Sequence, residues 1–193
     1  MSTIRVPPAE GEGLQEPVSL EEARAQCRID YEDEDALLSV YITAAREHAE
    51  MVTRRALMTS LWDHTLDGFP SGGAIRLPYP PLIDIESVHY IAPDGEAVEM
   101  DEELYRIDTR QEPGLLMPAH GTSWPATRQM PGAVWIRYRA GYEAVPQGLK
   151  VAMLMLVGHW FAHREAVQIG TAPHEVPLAV ERLLWAHRLY EVA

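Results

Sequence analysis

The chain has 193 residues, enough for one domain or one core domain with a sizeable insertion, and 47% of them are apolar, enough for a real core. It carries 29 acidic against 16 basic residues, a net charge of −13, and 15 of the bases are Arg. That balance excludes a chain built to grip phosphate, which calls for clustered basic charge, and no stretch approaches the ~18 consecutive apolar residues that span a bilayer.

The chain opens with MSTIRVPPAEGEG, one Arg and no apolar run of the signal-peptide kind. Its Pro, Gly and Glu make residues 1–16 an expected flexible arm. The first helix is predicted in PVSLEEARAQCRID, where Ser19 serves as N-cap and Glu22, three residues on, completes a capping box. Cys27 lies on this helix near Leu20, Ala23 and Ala25 and reads as a small buried hydrophobe. As the single cysteine it permits no intrachain disulfide, which fits a reducing cytoplasm.

A second helix follows in YEDEDALLSVYITAAREHAEMVTRRAL, capped by Asp33 or Asp35, whose carboxylate also meets the positive end of the helix dipole. Leu37, Leu38, Tyr41, Ala45, His48 and Val52 form an apolar stripe, with Arg46, Glu47 and Glu50 on the charged far side. Such a helix pair cannot bury itself alone.

The period then changes. SLWDHTLDGF alternates, with Trp62, His64 and Leu66 on one side; Ile75 and Leu77 suggest a short strand; Ile83, Ile85, Val88, Tyr90 and Ile91 suggest another. Asp94-Gly95 marks a hairpin turn before Ala97–Met100, and Tyr105-Arg106-Ile107 is a further strand. Pro78, Pro80 and Pro81 belong at a sheet edge or in a loop. GAVWIRYRAGY is the cleanest period-2 stretch, with Val134, Ile136, Tyr138 and Ala140 set against Trp135, Arg137 and Arg139.

From Pro146 the helical period returns. Leu149, Met153, Leu156 and Trp160 share one face, with Val157, Phe161 and Arg164 beside it, and the segment is apolar nearly all round, so it is expected to be the central helix. Ile169 to Glu175 reads as a loop. A last helix starts near Pro177 and turns Val180, Leu183, Leu184 and His187 inward. The expected fold class is α+β: a small helical bundle formed by residues 17–58 and 146–192, with a β-rich unit inserted at residues 59–145.

No catalytic constellation stands out. His159 and His163 sit one helical turn apart, a spacing that can hold a metal, but Trp160 occupies the place of the Glu that the zinc-protease motif requires, and Arg164 opposes a cation. The acidic corner from Asp30 to Asp35 lacks the alternation, central Gly and terminal Glu of a calcium loop. No phosphate-cradling glycine loop or nucleophile elbow is present in the sequence. No enzyme, cofactor or metal is therefore expected.

The segments PVSLEEARAQCRID, YEDEDALLSVYITAAREHAEMVTRRAL, LPYPPLIDIESVHYIAPDG, VWIRYRAGY with VPQGLKVAMLMLVGHWFAHRE, and VPLAVERLLWAHR, in this order, resemble the head-tail connector (adaptor, head-completion) proteins of long-tailed phages and prophages. The resemblance implies a structural virion protein at the head-tail junction, assembled in the bacterial host cytoplasm. It implies a ring, typically dodecameric, that sits on the portal, extends the DNA channel and offers a platform to a tail-side completion protein. The ring is templated by the portal from a chain expected to be monomeric alone. Double-stranded DNA would pass without specific binding, held off by acidic lumen residues, and no membrane is involved. Family members often dock by a C-terminal segment; this sequence stops at Ala193, so the N-terminal arm or β-unit loops are expected to contribute instead. A closed ring needs two different complementary faces; candidates for polar subunit contacts are Asp33, Glu34, Asp35, Arg54, Arg55, Arg182 and Arg188. The competing readings are another small tail-completion or stopper protein, a metal-dependent hydrolase using His159 and His163, and a host regulatory module, for which no basic recognition helix is found.

Overall fold

The structure, a computed structural model, describes residues 1–8, 15–163 and 177–190. These residues form a mixed α+β fold of four α-helices and two antiparallel sheets. The chain divides into two compact units, Met1–Leu14 with Thr59–Glu143, and Gln15–Met58 with Ala144–Ala193.

The first unit holds the strands β1 (Ser2–Arg5), β2 (Ser60–Leu66), β3 (Ile75–Leu77), β4 (Leu82–Ile91), β5 (Ala97–Glu99), β6 (Tyr105–Asp108), β7 (Gly114–Pro118) and β8 (Val134–Ala140). The larger sheet runs β1-β2-β8-β4-β5 and the smaller β3-β7-β6. β8 is central because its alternation is strict: Val134, Ile136, Tyr138 and Ala140 are all fully buried. It pairs with β2 from Ser60↔Ala140 to Leu66↔Val134, and with β4 through irregularities between Leu82 and Asp84 and between Ile85 and Ser87. Trp62 and His64 lie buried on the β2 side of the same face. Tyr138 satisfies its phenol by donating to the Pro78 carbonyl at 2.8 Å. The two sheets meet where Gly114 faces Leu82: a Cβ on Gly114 would lie 2.5 Å from the Leu82 Cβ, an approach only glycine permits. The Asp94-Gly95 hairpin forms as expected, with Gly95 at φ 99°.

Two strands depart from the sequence reading. Ser2–Arg5, expected within a flexible arm, is the edge strand β1, registered on β2 from Ser2↔Thr65 to Arg5↔Trp62. β7 was not anticipated; Pro113 and Pro118 around Gly-Leu-Leu-Met mask a strand that supplies the centre of the small sheet.

The second unit contains α1 (Leu20–Cys27), α2 (Asp35–Thr53), α3 (Gln147–Ala162) and α4 (Leu178–Trp185). α3 packs against the other three and buries Leu149, Ala152, Met153, Leu156 and Val157. Trp160 and Phe161 are half-buried, with Trp160 tilted against Tyr41 at 6.1 Å between centroids. α1 starts as its capping box dictates: Glu22 N–H donates to Ser19 Oγ at 3.1 Å, and Ser19 N–H to Glu22 Oε2 at 2.8 Å. Cys27 is half-buried rather than fully buried, and burial pushes its thiol above the ordinary range.

α2 begins differently from expectation. Glu34, not Asp33 or Asp35, occupies the N-cap position, and no side-chain cap bond forms. Asp35 is the first helical residue, and its carboxylate is turned to Arg24 instead. The expected far side of α2 is also corrected: Glu47 is exposed, but Arg46 and Glu50 are buried. α4 ends at Trp185, sooner than the expected helix; Leu189 N–H then bonds to the Thr53 carbonyl at 2.9 Å. Within α4, Val180 and Leu184 are buried, as expected, and Leu183 and His187 are half-buried. Arg164 and the loop Ile169–Glu175 lie outside the described residues.

Candidate interface surfaces

In the acidic corner between α1 and α2, Asp35 is tied to the preceding helix. Arg24 Nε donates to Asp35 Oδ1 at 2.7 Å, and its Nη2 donates to Asp35 Oδ2, a fork-on-fork pair that ties the two helices and raises the Arg24 pKa. Asp35 is therefore engaged inside its own chain. Asp33 is exposed, and Glu34 is half-buried at the cap.

The basic candidates lie at the end of α2, on α4 and just after it. Arg55 Nε donates to the His187 carbonyl at 2.6 Å, fixing the segment after α4 onto the end of α2. Arg54 ends α2 in the left-handed conformation, φ 57°, and is exposed. Arg182 lies exposed on α4. The Arg188 guanidinium sits 6.0 Å from the Trp185 ring centroid.

The His159 and His163 rings lie 4.6 Å apart between centroids, tilted at 42°, but His163 Nδ1 lies 2.8 Å from the His159 carbonyl oxygen, so one ring nitrogen of the pair is turned to the backbone. Among the described residues, no three His, Cys, Asp or Glu side chains gather as a metal site would require.

Several polar constellations escaped the sequence reading. Arg46 Nε donates to Glu16 Oε2 at 2.9 Å and its Nη1 to Glu50 Oε2 at 3.0 Å, inside the second unit. Lys150 Nζ donates to Glu22 Oε1 at 2.9 Å, which, with the Ser19 backbone bond, holds Glu22 below the usual carboxylate range. On the outer face of the large sheet, Arg137 forks onto Asp63 with both bonds at 2.8 Å, and Arg139 forks onto Asp84 at 3.0 and 2.9 Å. These cross-strand pairs raise both arginines and engage the Nε and Nη2 of each guanidinium. Only the register of β2, β4 and β8, which a sequence does not print, brings each acid opposite its Arg. A groove of about 330 Å³ beside β7 is lined by the stacked pair Phe69 and Trp124, centroids 4.7 Å apart.

Paired charge, exposed helix faces and an aromatic groove dominate the described surfaces. Residues 17–86 match the family model described as phage gp6-like head-tail connector protein. The resemblance to head-tail connectors is thereby borne out on α1, α2 and the strands through the first half of β4. The connector family is a structural one, not an enzymatic one.

The fold extends the likeness over the whole chain. A chain in the structure titled "Neck of empty GTA particle computed with C6 symmetry" superposes with a TM-score of 0.78 at 21% identity, covering 100% of this chain and 98% of that one. A chain in "Virion of native gene transfer agent (GTA) particle" gives 0.76 at 22% identity, with the same coverages of 100% and 98%. A third, from "Neck of native GTA particle computed with C12 symmetry", gives 0.74 at 24% identity, again covering 100% and 98%. No curated protein matches the chain in sequence.

Proposed function

We propose that this protein is a head-tail connector of a phage-like particle: a structural virion subunit that rings the portal, extends the DNA channel and presents a platform for tail attachment. The observation that carries the reading is the coincidence of two likenesses on one chain, the connector family over residues 17–86 and a neck-particle fold over its full length. The C6 and C12 symmetries belong to those neck structures; carried here, they make the ring a closed, heterologous assembly of one repeated subunit. In this reading the helices 17–58 and 146–192 form the bundle, the β unit is its insertion, and the partners are further copies, the portal and a tail-side completion protein.

The acidic composition serves the same role. A net charge of −13 repels the duplex that must slide through the ring, and the forked Asp63–Arg137 and Asp84–Arg139 pairs keep two of the sheet's arginines from phosphate. The test is to mix the purified protein with the portal protein of its own particle and image the mixture by negative stain. A ring stacked on the portal, absent when either component is omitted, is expected. Portals that stay bare at saturating protein overturn the reading.

A further inference from the structure

Among the described residues, two helix faces of the second unit are exposed, and they differ in kind. On α4, Leu178 and Trp185 are 71% and 54% exposed, with Arg182 between them on the same face and Arg188 over the Trp185 ring. On α2, the face opposite its buried stripe carries Val40 and Met51, 63% and 68% exposed, with Glu47 between them. That face is shallow and open, carrying Ser39, Val40, Thr43, Ala44 and Glu47, all from α2 itself. The α4 face is thus an exposed aromatic flanked by cations, and the α2 face is a shallow surface of small side chains edged by an anion. An exposed Trp framed by Arg is the residue pairing that interface cores use most.

The buried residues of both helices, Val180 and Leu184 on α4 and Leu38, Ala45 and Ala49 on α2, lie on their opposite sides. The two outer faces therefore cannot meet within one chain, yet both are presented by the same unit. A contact between them joins one copy to the next head to tail, the geometry that closes into a ring.

We infer that α4 of one copy docks on the outer face of α2 of the next, with Trp185 packing beside Val40, Leu178 beside Met51 and Arg182 facing Glu47. The occupant is a second copy of this chain because the two faces match in charge and each exposes apolar side chains flanking that charge. The inference rests on the ring reading above and names its subunit contact.

The test uses full-length protein assembled on its portal. Arg182→Glu and Glu47→Arg each reverse one exposed charge; each is expected to lower the fraction of ring-bearing portals about tenfold, and the double reversal to restore it. Independently, Met51→Cys with Leu178→Cys, in a Cys27→Ser background, is expected to give a ladder of crosslinked multimers, because antiparallel docking sets these two positions side by side, while either cysteine alone gives none. Rings that persist in both charge reversals, with no ladder from the cysteine pair, overturn the α2–α4 contact and leave the ring standing. Wild-type protein that forms no ring overturns both.

Discussion

Glu50 stands one helical turn beyond Arg46 on α2, and the two are locked in a buried ion pair, Oε2 to Nη1 at 3.0 Å, while the second Glu50 oxygen accepts the Leu57 N–H at 3.0 Å. One carboxylate thus neutralises a buried guanidinium and caps a backbone donor just past the helix end. Glu50→Ala strands the buried Leu57 N–H, while Arg46 keeps Glu16 as its counter-ion, so the expected cost is that of an unsatisfied buried donor, about 1–3 kcal/mol. The urea midpoint, followed by far-UV circular dichroism, is expected to fall accordingly. Glu50→Gln keeps an acceptor for Leu57 and is expected to lose less.

Ser19→Ala removes one half of the α1 capping box. The expected loss is about 1 kcal/mol, the usual worth of a Ser cap. Glu22 retains Lys150 as a partner, so the ionic contact between α1 and α3 survives and the loss should not exceed that of the cap alone. Denaturant unfolding of the single variant checks this.

His64 makes the first unit sensitive to acid. It is fully buried, its Nδ1 lies 2.7 Å from Thr3 Oγ1, and its Nε2 has no hydrogen-bond partner. Burial, with the Met1 ammonium adding, pushes the imidazole below its ordinary value. Folding therefore favours the neutral ring, so its stabilisation is complete above the unfolded value of about 6.5 and is lost as pH falls below it. Thermal unfolding scanned from about pH 8 down to 5 should show that loss, and His64→Phe should flatten it. Amide exchange along Ser2–Arg5 should quicken in the same range, since the imidazole holds Thr3 of β1.

Gly114→Ala places a methyl 2.5 Å from both Cβ and Cδ2 of Leu82. The expected cost is about 1–3 kcal/mol, the range for overpacking a tight site. Adding Leu82→Ala removes the Cδ2 clash but not the Cβ clash. The double variant should therefore recover only part of the overpacking, read as a coupling energy in a double-mutant cycle.

The elements legible from sequence were those whose burial follows a simple period. β8 announces itself because four alternate side chains, Val134 to Ala140, are all buried. α1 announces itself because its capping box is local. β1 was hidden because the composition around it, rich in Pro, Gly and Glu, outweighs four residues whose strand state depends on pairing with β2, some sixty positions away. Arg46 and Glu50 were placed on the solvent side because a hydrophobicity pattern counts charge as outward, and it cannot register that each charge finds its counter-ion inside. The cap of α2 was misplaced for a related reason: Asp35 has the right chemistry, but Arg24 claims its carboxylate. Of the seven residues proposed for subunit contacts, Asp35 and Arg55 are bound within their own chain.

Each unit is stitched from two separate chain segments, which fixes an order of events during synthesis. α1 and α2 are complete by Thr53, yet the helix that covers their apolar stripe begins only at Gln147. Ser2–Arg5 likewise leaves the ribosome well before β2, its sheet partner. The intervening strands can pair among themselves as they emerge, so the sheets mature while the first two helices still hold an uncovered hydrophobic flank. The second unit closes only once α3 and α4 are made, so the outer face of α2 is in place before the α4 face proposed to meet it on a neighbouring copy.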